Sequence, residues 1–155
     1  MKVTIKVAAI ILNENSEVLL IKERYEKDGE PKWNLVKGTY DDAKETVTEC
    51  INREIKEEVG LTAKGVELKR IYHYGDNENQ RILFVFFVRR FEGVVSVPVT
   101  SDQEKRKESI VEAHWVNKDD IRNITEKDFI APYVYQTLKN IEGLDKREVE
   151  ILRID

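Results

Sequence analysis

The run from Val3 to Leu12 is rich in β-branched residues and reads as a strand. Asn13–Ser16 has turn composition, and Glu17 to Lys22 reads as the return strand. The chain is therefore expected to open with a hairpin. Glu23 to Lys32 is polar, holds Gly29 and Pro31, and reads as a loop before a short apolar island, Trp33 to Val36. Thr46 to Val59 has helical spacing, and Gly60 is a good helix stop. Val66 to Tyr74 and Arg81 to Phe91 read as strands joined by Gly75-Asp76-Asn77. Val94 to Val99 is expected to continue the sheet, and Thr100 to Glu108 to be a charged loop. Ala113 to Val116 reads as a short strand and Asn117 to Ile121 as a capped helical turn. Thr125 to Ile141 carries an apolar stripe and predicts a second long helix, and Glu148 to Ile154 alternates like a terminal strand. The pattern as a whole is α/β, with a sheet built largely of hairpins.

The chain has 155 residues, one domain's worth, with no repeat and no Pro/Gly/Ser-rich linker. A single domain over residues 1–155 is expected. Apolar residues make up 41%, enough for one core and too many for a disordered chain. The 30 acids against 26 bases give a net charge of −4, which argues against a dedicated nucleic-acid binder. The longest apolar run, Ile82 to Val88, is far short of the ~20 residues that cross a bilayer. The start shows no signal-peptide pattern, and the single Cys50 cannot form an internal disulfide or a Cys-rich zinc site. A cytoplasmic protein with no membrane partner is the expectation.

One helix breaks the ordinary pattern. With residues spaced about 100° apart, Val47, Cys50, Ile51, Ile55 and Val59 share one side of Thr46–Val59. Thr46, Glu49, Asn52, Arg53 and Lys56 form a normal solvent face. Glu54 and Glu58 do not join it: they project from within the apolar stripe, with Glu57 at its edge. The spacing i, i+3, i+4 brings the three carboxylates together. Ionised groups among apolar neighbours are costly, and like charges repel. A buried Arg or Lys offsets that, or a divalent cation does. An all-oxygen donor set suits Mg²⁺ or Mn²⁺ rather than zinc. The plainer alternative is a surface helix with ordinary charges.

The run Gly38…Glu45…Arg53-Glu54-Ile55-Lys56-Glu57-Glu58-Val59-Gly60-Leu61 resembles the Nudix box, G-x5-E-x7-R-E-U-x-E-E-x-G-U with U a bulky aliphatic. Every specified position from Glu45 onward matches. Before it, two alignments are open: Thr39 replaces the box glycine, or Gly38 is that glycine and the loop carries one extra residue. Val36 and Lys37 stand where relatives often have Pro and a first Gly after Trp-x-Leu. The resemblance implies a Nudix-like α/β/α sandwich with a mixed, largely antiparallel sheet. It also implies divalent-metal-dependent hydrolysis of a pyrophosphate bond in a nucleoside diphosphate linked to another moiety. By that resemblance Glu54, Glu57 and Glu58 are metal ligands, one of them taking a proton from the attacking water. The Gly38 carbonyl is a further ligand, and Glu45 with Arg53 is a structural ion pair. Glu108 and Glu112 are candidates for an extra ligand or base, and Lys37, Arg24 and Arg81 for phosphate contact. A nucleoside triphosphate, often an oxidised one in the family, is the first expected substrate. ADP-ribose, dinucleoside polyphosphates and a catalytically silent nucleotide-binding module are the alternatives. The expected partners are a small-molecule nucleotide and, as in many relatives, a second copy in a homodimer.

The remaining conspicuous side chains read as structure. His73 and His114 lack ligand-like spacing, Cys50 lies on the apolar helix face, and Tyr72, Tyr74, Phe84, Phe86 and Phe87 are mostly sheet core. Trp33 and Pro132–Tyr135 also read as packing.

Overall fold

A computed structural model describes residues 1–26, 28–106, 109–145 and 148–155. Strands β1 (Lys2–Ile11), β2 (Val18–Glu23), β3 (Lys32–Asn34) and β4 (Val36–Thr39) precede helix α1 (Val47–Val59). Strands β5 (Thr62–Ala63), β6 (Glu67–Gly75), β7 (Asn79–Val88) and β8 (Phe91–Glu92) follow it. Then come helix α2 (Thr100–Arg106), strand β9 (Ile110–Val116), helices α3 (Lys118–Asn123) and α4 (Pro132–Lys139), and strand β10 (Glu150–Arg153).

The main sheet has five strands in the order β10-β6-β7-β1-β4 and is mixed. β1 runs parallel to β7 and antiparallel to β4, β6 runs antiparallel to β7, and β10 lies parallel to β6. Successive residues of β1 face opposite sides. Ala8 and Ile10 pack with Val134 and Leu138 of α4, whereas Val7, Ala9 and Ile11 pack with Cys50, Ile51, Ile55 and Val59 of α1. The result is an α/β/α sandwich, as the box resemblance implied. β2 sits in a second, three-stranded sheet, β3-β2-β9, and feeds both cores: Val18 and Leu20 one, Leu19 and Ile21 the other.

The expected opening hairpin does not form as a ladder. β1 and β2 meet only at the Leu12–Val18 bridge. Both hydrogen-bonding edges of β1 are already taken, by β7 along its whole length and by β4, so β2 pairs elsewhere. Val94 to Val99 does not continue the sheet. Val94 is 85% exposed, and Pro98 has no N–H to give to a ladder. Residues 100–106 of the expected charged loop are helix α2, held by buried Gln103, whose amide donates to the Pro98 and Ile110 carbonyls. The expected long helix from Thr125 to Ile141 is broken into a 3-10 turn at Glu126–Asp128, helix α4 and a second 3-10 turn at Ile141–Asp145. Proline forbids helical geometry in the residue before it, and Ala131 is extended at φ −153°, ψ 153°. Pro132 instead starts a helix, where its missing N–H costs nothing.

Candidate functional site

Helix α1 is delimited by its own sequence. The Thr46 hydroxyl accepts from the Glu49 amide at 3.1 Å, and the Glu49 carboxylate accepts from the Thr46 amide at 2.6 Å. Gly60 ends the helix in the left-handed region at φ 74°. Between these caps the helix turns Cys50, Ile51, Ile55 and Val59 into the core, and Glu54 and Glu58 go in with them at 7% and 1% exposure. The predicted intrusion of two carboxylates into the apolar stripe is therefore present, with Glu57 at its edge.

The edge strand β4 lies directly over these acids. A Cβ on Gly38 would stand 2.0 Å from Glu54 Cδ, so any larger residue requires the Glu54 side chain or the strand to shift. Of the two residues in the open alignment, Gly38 is the one against the Glu54 carboxylate. Thr39 sits beside Lys6, whose Nζ lies 3.4 Å from its hydroxyl. Next to Gly38, the Lys37 amide donates to Glu58 Oε1 at 2.7 Å. Burial pushes the Glu58 carboxyl well above its usual range; the Lys37 charge and amide pull against that, and nearby Glu23 adds to it.

Arg53 gathers the rest. Its guanidinium holds Glu45 through two hydrogen bonds, of 2.7 and 3.1 Å, and reaches Glu54 at 3.0 Å and Glu57 at 3.3 Å. The hydrogen bond from Arg53 lowers the Glu45 pKa, and the same bond raises that of Arg53. The Glu45–Arg53 pair is thus in the place the resemblance implied, and Arg53 additionally bridges two of the three helix acids.

Glu23 was not singled out in the sequence, yet it joins this cluster. It ends β2 at a register shift, is 8% exposed, and accepts from Lys37 Nζ at 3.0 Å. Burial alone would lower the Lys37 pKa; the Glu58 and Glu23 charges outweigh it and raise it. Buried Asn34 supports the pair, its Nδ2 lying 3.4 Å from Glu23 Oε2, and Tyr133 donates to Asn34 Oδ1 at 3.3 Å. Asn34 was a second omission. The trace of either in the sequence is position alone: Glu23 opens the expected loop directly after a strand, and Asn34 interrupts an apolar island.

The other candidates scatter. Glu112 is on β9, where it contacts His114 Nε2 at 3.0 Å and lies 3.9 Å from Lys22, so the structure does not bring it to the α1 acids. Glu108 lies outside the described residues. The Arg24 backbone amide donates to the Ser109 carbonyl at 3.1 Å, and its Nε is buried without a hydrogen-bond partner among the described residues. Arg81 and Lys37 line a cavity of about 700 Å³ together with Lys6. Cys50 packs in the core beneath α1, as expected.

As a donor set, Glu54, Glu57 and Glu58 suit a hard divalent cation. Among the described residues no three His, Cys, Asp or Glu side chains converge as a group that could hold a metal ion, although the helical spacing was expected to bring the three glutamates together. The acids are instead spread over Arg53 and the Lys37 amide, and the glycine cradle at Gly38 keeps backbone close to Glu54.

Fold and site together define a class: an α/β/α sandwich that sets an acid-bearing helix against a glycine of an edge strand. The NUDIX domain model matches residues 2–138, and the chain belongs to the Nudix family. It is similar to the protein named 8-oxo-dGDP phosphatase NUDT18 in mouse, 36% identical over 98 residues, which is 63% of this chain and 29% of that protein. The human protein of the same name is 33% identical over 98 residues, again 63% of this chain and 29% of its own length. The aligned region thus spans less than a third of these curated relatives. Among solved structures, the MutT protein of Methanosarcina mazei Go1 superimposes with a TM-score of 0.71 at 22% identity. That match covers 94% of this chain and 96% of that one, and it establishes the fold.

Proposed function

We propose that this chain hydrolyses a pyrophosphate bond in a nucleoside diphosphate linked to another moiety, with Mg²⁺ or Mn²⁺ held by Glu54, Glu57 and Glu58. The observation that carries this is the junction of β4 with α1. There the Gly38 backbone meets Glu54, and the next amide fixes buried Glu58. A bound divalent cation supplies charge neutralisation on the phosphate oxygens and a lower pKa for attacking water. The chain's own residues do the rest. Arg53 orients Glu54 and Glu57 through its fixed fork of donors. One of the three glutamates accepts the proton of the water. Lys37 keeps its amide on Glu58 while its ammonium, held by Glu23, contacts a phosphate oxygen of the substrate. The Gly38 carbonyl adds an oxygen ligand.

The relatives' name directs the substrate search. An oxidised purine nucleoside di- or triphosphate is the first compound to test, ahead of ADP-ribose and dinucleoside polyphosphates. Phosphate release from this panel, with and without Mg²⁺, is the measurement. Glu57→Gln and Glu58→Gln are expected to fold and to lose about 10²-fold or more in turnover. Wild-type rates in both purified variants would sink the assignment.

A further inference from the structure

The cavity of about 700 Å³ opens on the opposite face of the main sheet from helix α1. Tyr74 and Tyr133 form its aromatic wall, their rings stacked with centroids 6.0 Å apart. Tyr25 stands at its rim, 79% exposed. Three cations line it: Lys6, Lys37 and Arg81. Two acids line it as well, and each is already engaged. Asp76 accepts from the Glu78 and Asn79 amides, at 2.9 and 2.8 Å, and Asp155 accepts from Arg153 at 3.0 Å. Lys37 is neutralised by Glu23. Lys6 is different: it is half-buried, and its hydrogen-bond partner is a threonine hydroxyl at 3.4 Å. Among the described residues neither Lys6 nor Arg81 has a carboxylate within ion-pair distance.

Strand register places these cations. Arg81 of β7 stands opposite Thr4 of β1 and Tyr74 of β6, and Lys6 is two residues along from Thr4 on the same face. The α1 acids gather at β4, the edge strand, next to β1. At ~4.8 Å per strand, Lys6 lies about one spacing and Arg81 about two spacings in from that edge, on the far face. The strand order thus sets Arg81 two strands away from the edge where the α1 acids gather. Lys37 connects the two regions, with its amide on Glu58 and its side chain at the cavity, and Lys6 reaches the same edge through the Thr39 hydroxyl.

We propose that Lys6 and Arg81 bind a second anionic group, a phosphate monoester on the substrate moiety beyond the pyrophosphate. They thereby select nucleotides phosphorylated at a position remote from the cleaved bond. Two adjacent cations suit a dianion, because each phosphate oxygen accepts a charge-assisted hydrogen bond. The nucleoside ring lies against the tyrosine wall, where aromatic stacking is tolerant of base identity. The Lys6 pKa is lowered, first by burial and then by repulsion from Lys37 and Arg81, while the Glu23 and Glu54 charges pull the other way; a bound anion favours the charged lysine.

The inference rests on the pyrophosphohydrolase reading, so its test uses ligands without a pyrophosphate bond. Titration calorimetry compares adenosine 5′-monophosphate with adenosine 2′,5′- and 3′,5′-bisphosphate on the whole chain. Wild type is expected to bind at least one bisphosphate roughly tenfold or more tightly than the monophosphate, the range of a charged hydrogen bond. That preference falls as salt rises. It shrinks to near unity in the Lys6→Ala/Arg81→Ala double variant and is partly restored when only Arg81→Lys is made. Arg81 is exposed, so these variants are expected to fold, which circular dichroism checks. Equal wild-type affinities, or a preference that survives in the double variant, overturn the proposal. A protein that prefers the bisphosphate yet cleaves no pyrophosphate refutes the activity and keeps the subsite. One that cleaves without the preference does the reverse.

Discussion

At Gly38 a hydrogen in place of a methyl group lets strand β4 rest against the Glu54 carboxyl. Gly38→Ala forces the strand or the acid to move. The expected result is a stability loss of about 1–3 kcal/mol, as in other overpacked sites, and a larger loss of turnover than of melting temperature. Denaturant titration and the hydrolysis assay check both. The same scale governs Cys50. Burial pushes its thiol up to about 12, whereas an unfolded cysteine titrates near ~8.5. Between those values the unfolded chain has lost a proton that the folded one keeps, so stability falls as pH rises from about 8.5 toward 12. Below that window Cys50 adds no pH dependence. Native protein at pH 8 is accordingly expected to resist iodoacetamide while urea-unfolded protein is alkylated. Comparable alkylation rates in the two states would contradict the burial. Glu23 belongs here too. Its identity is visible in the sequence, but its burial follows from a strand end that meets Lys37 of another strand.

At the level of elements, α1 was the most legible. Its capping box, its terminal glycine and the two acids inside its apolar stripe are all local features, set by 3.6-residue geometry. Thr46→Ala removes the hydrogen bond from the Glu49 amide to the Thr46 hydroxyl, while the backbone amide of residue 46 still donates to the Glu49 carboxylate. It is expected to cost about 1 kcal/mol in urea unfolding, with little effect on substrate affinity. Arg53→Lys is a sharper probe, since a lysine cannot reproduce the two-point grip on Glu45 while also reaching Glu54 and Glu57. Turnover should drop by at least about tenfold with a small change in melting temperature, the effect of losing oriented support around a site. A variant with full activity would show that the Arg53 bridge orients nothing. The second long helix misled because its apolar stripe survives the break. Phe129, Val134 and Leu138 all reach the same core although Pro132 divides the segment.

For the whole molecule, the two faces of one sheet divide the work. The α1 face and the β4 edge carry the acids, and the α4 face carries the cavity with Lys6 and Arg81. If the acids hold a divalent cation, treatment with EDTA is expected to abolish hydrolysis and added Mg²⁺ to restore it. Activity that persists in EDTA would remove the cation from the mechanism. The net charge of −4 predicts nothing about this arrangement, because a bulk sum averages an acid-bearing edge against a basic cavity.

The sequence by itself determined what is local or periodic. It set the box helix, the burial of Glu54 and Glu58 and most strand positions, because these follow from backbone geometry and side-chain spacing within about a dozen residues; the Glu45–Arg53 pair came from the resemblance in the box. Only the tertiary structure decided which strands pair. β1 had two edges and several possible neighbours, and the long parallel match with β7 took one that a hairpin would have used. It also decided which charges meet: Glu23 and Lys37 were drawn together across 14 residues, whereas Glu112 was held with His114 on β9. Pairing and burial of this kind depend on contacts between distant segments. No local pattern records them, and here they turned a resemblance in the box into a site with a particular shape and charge.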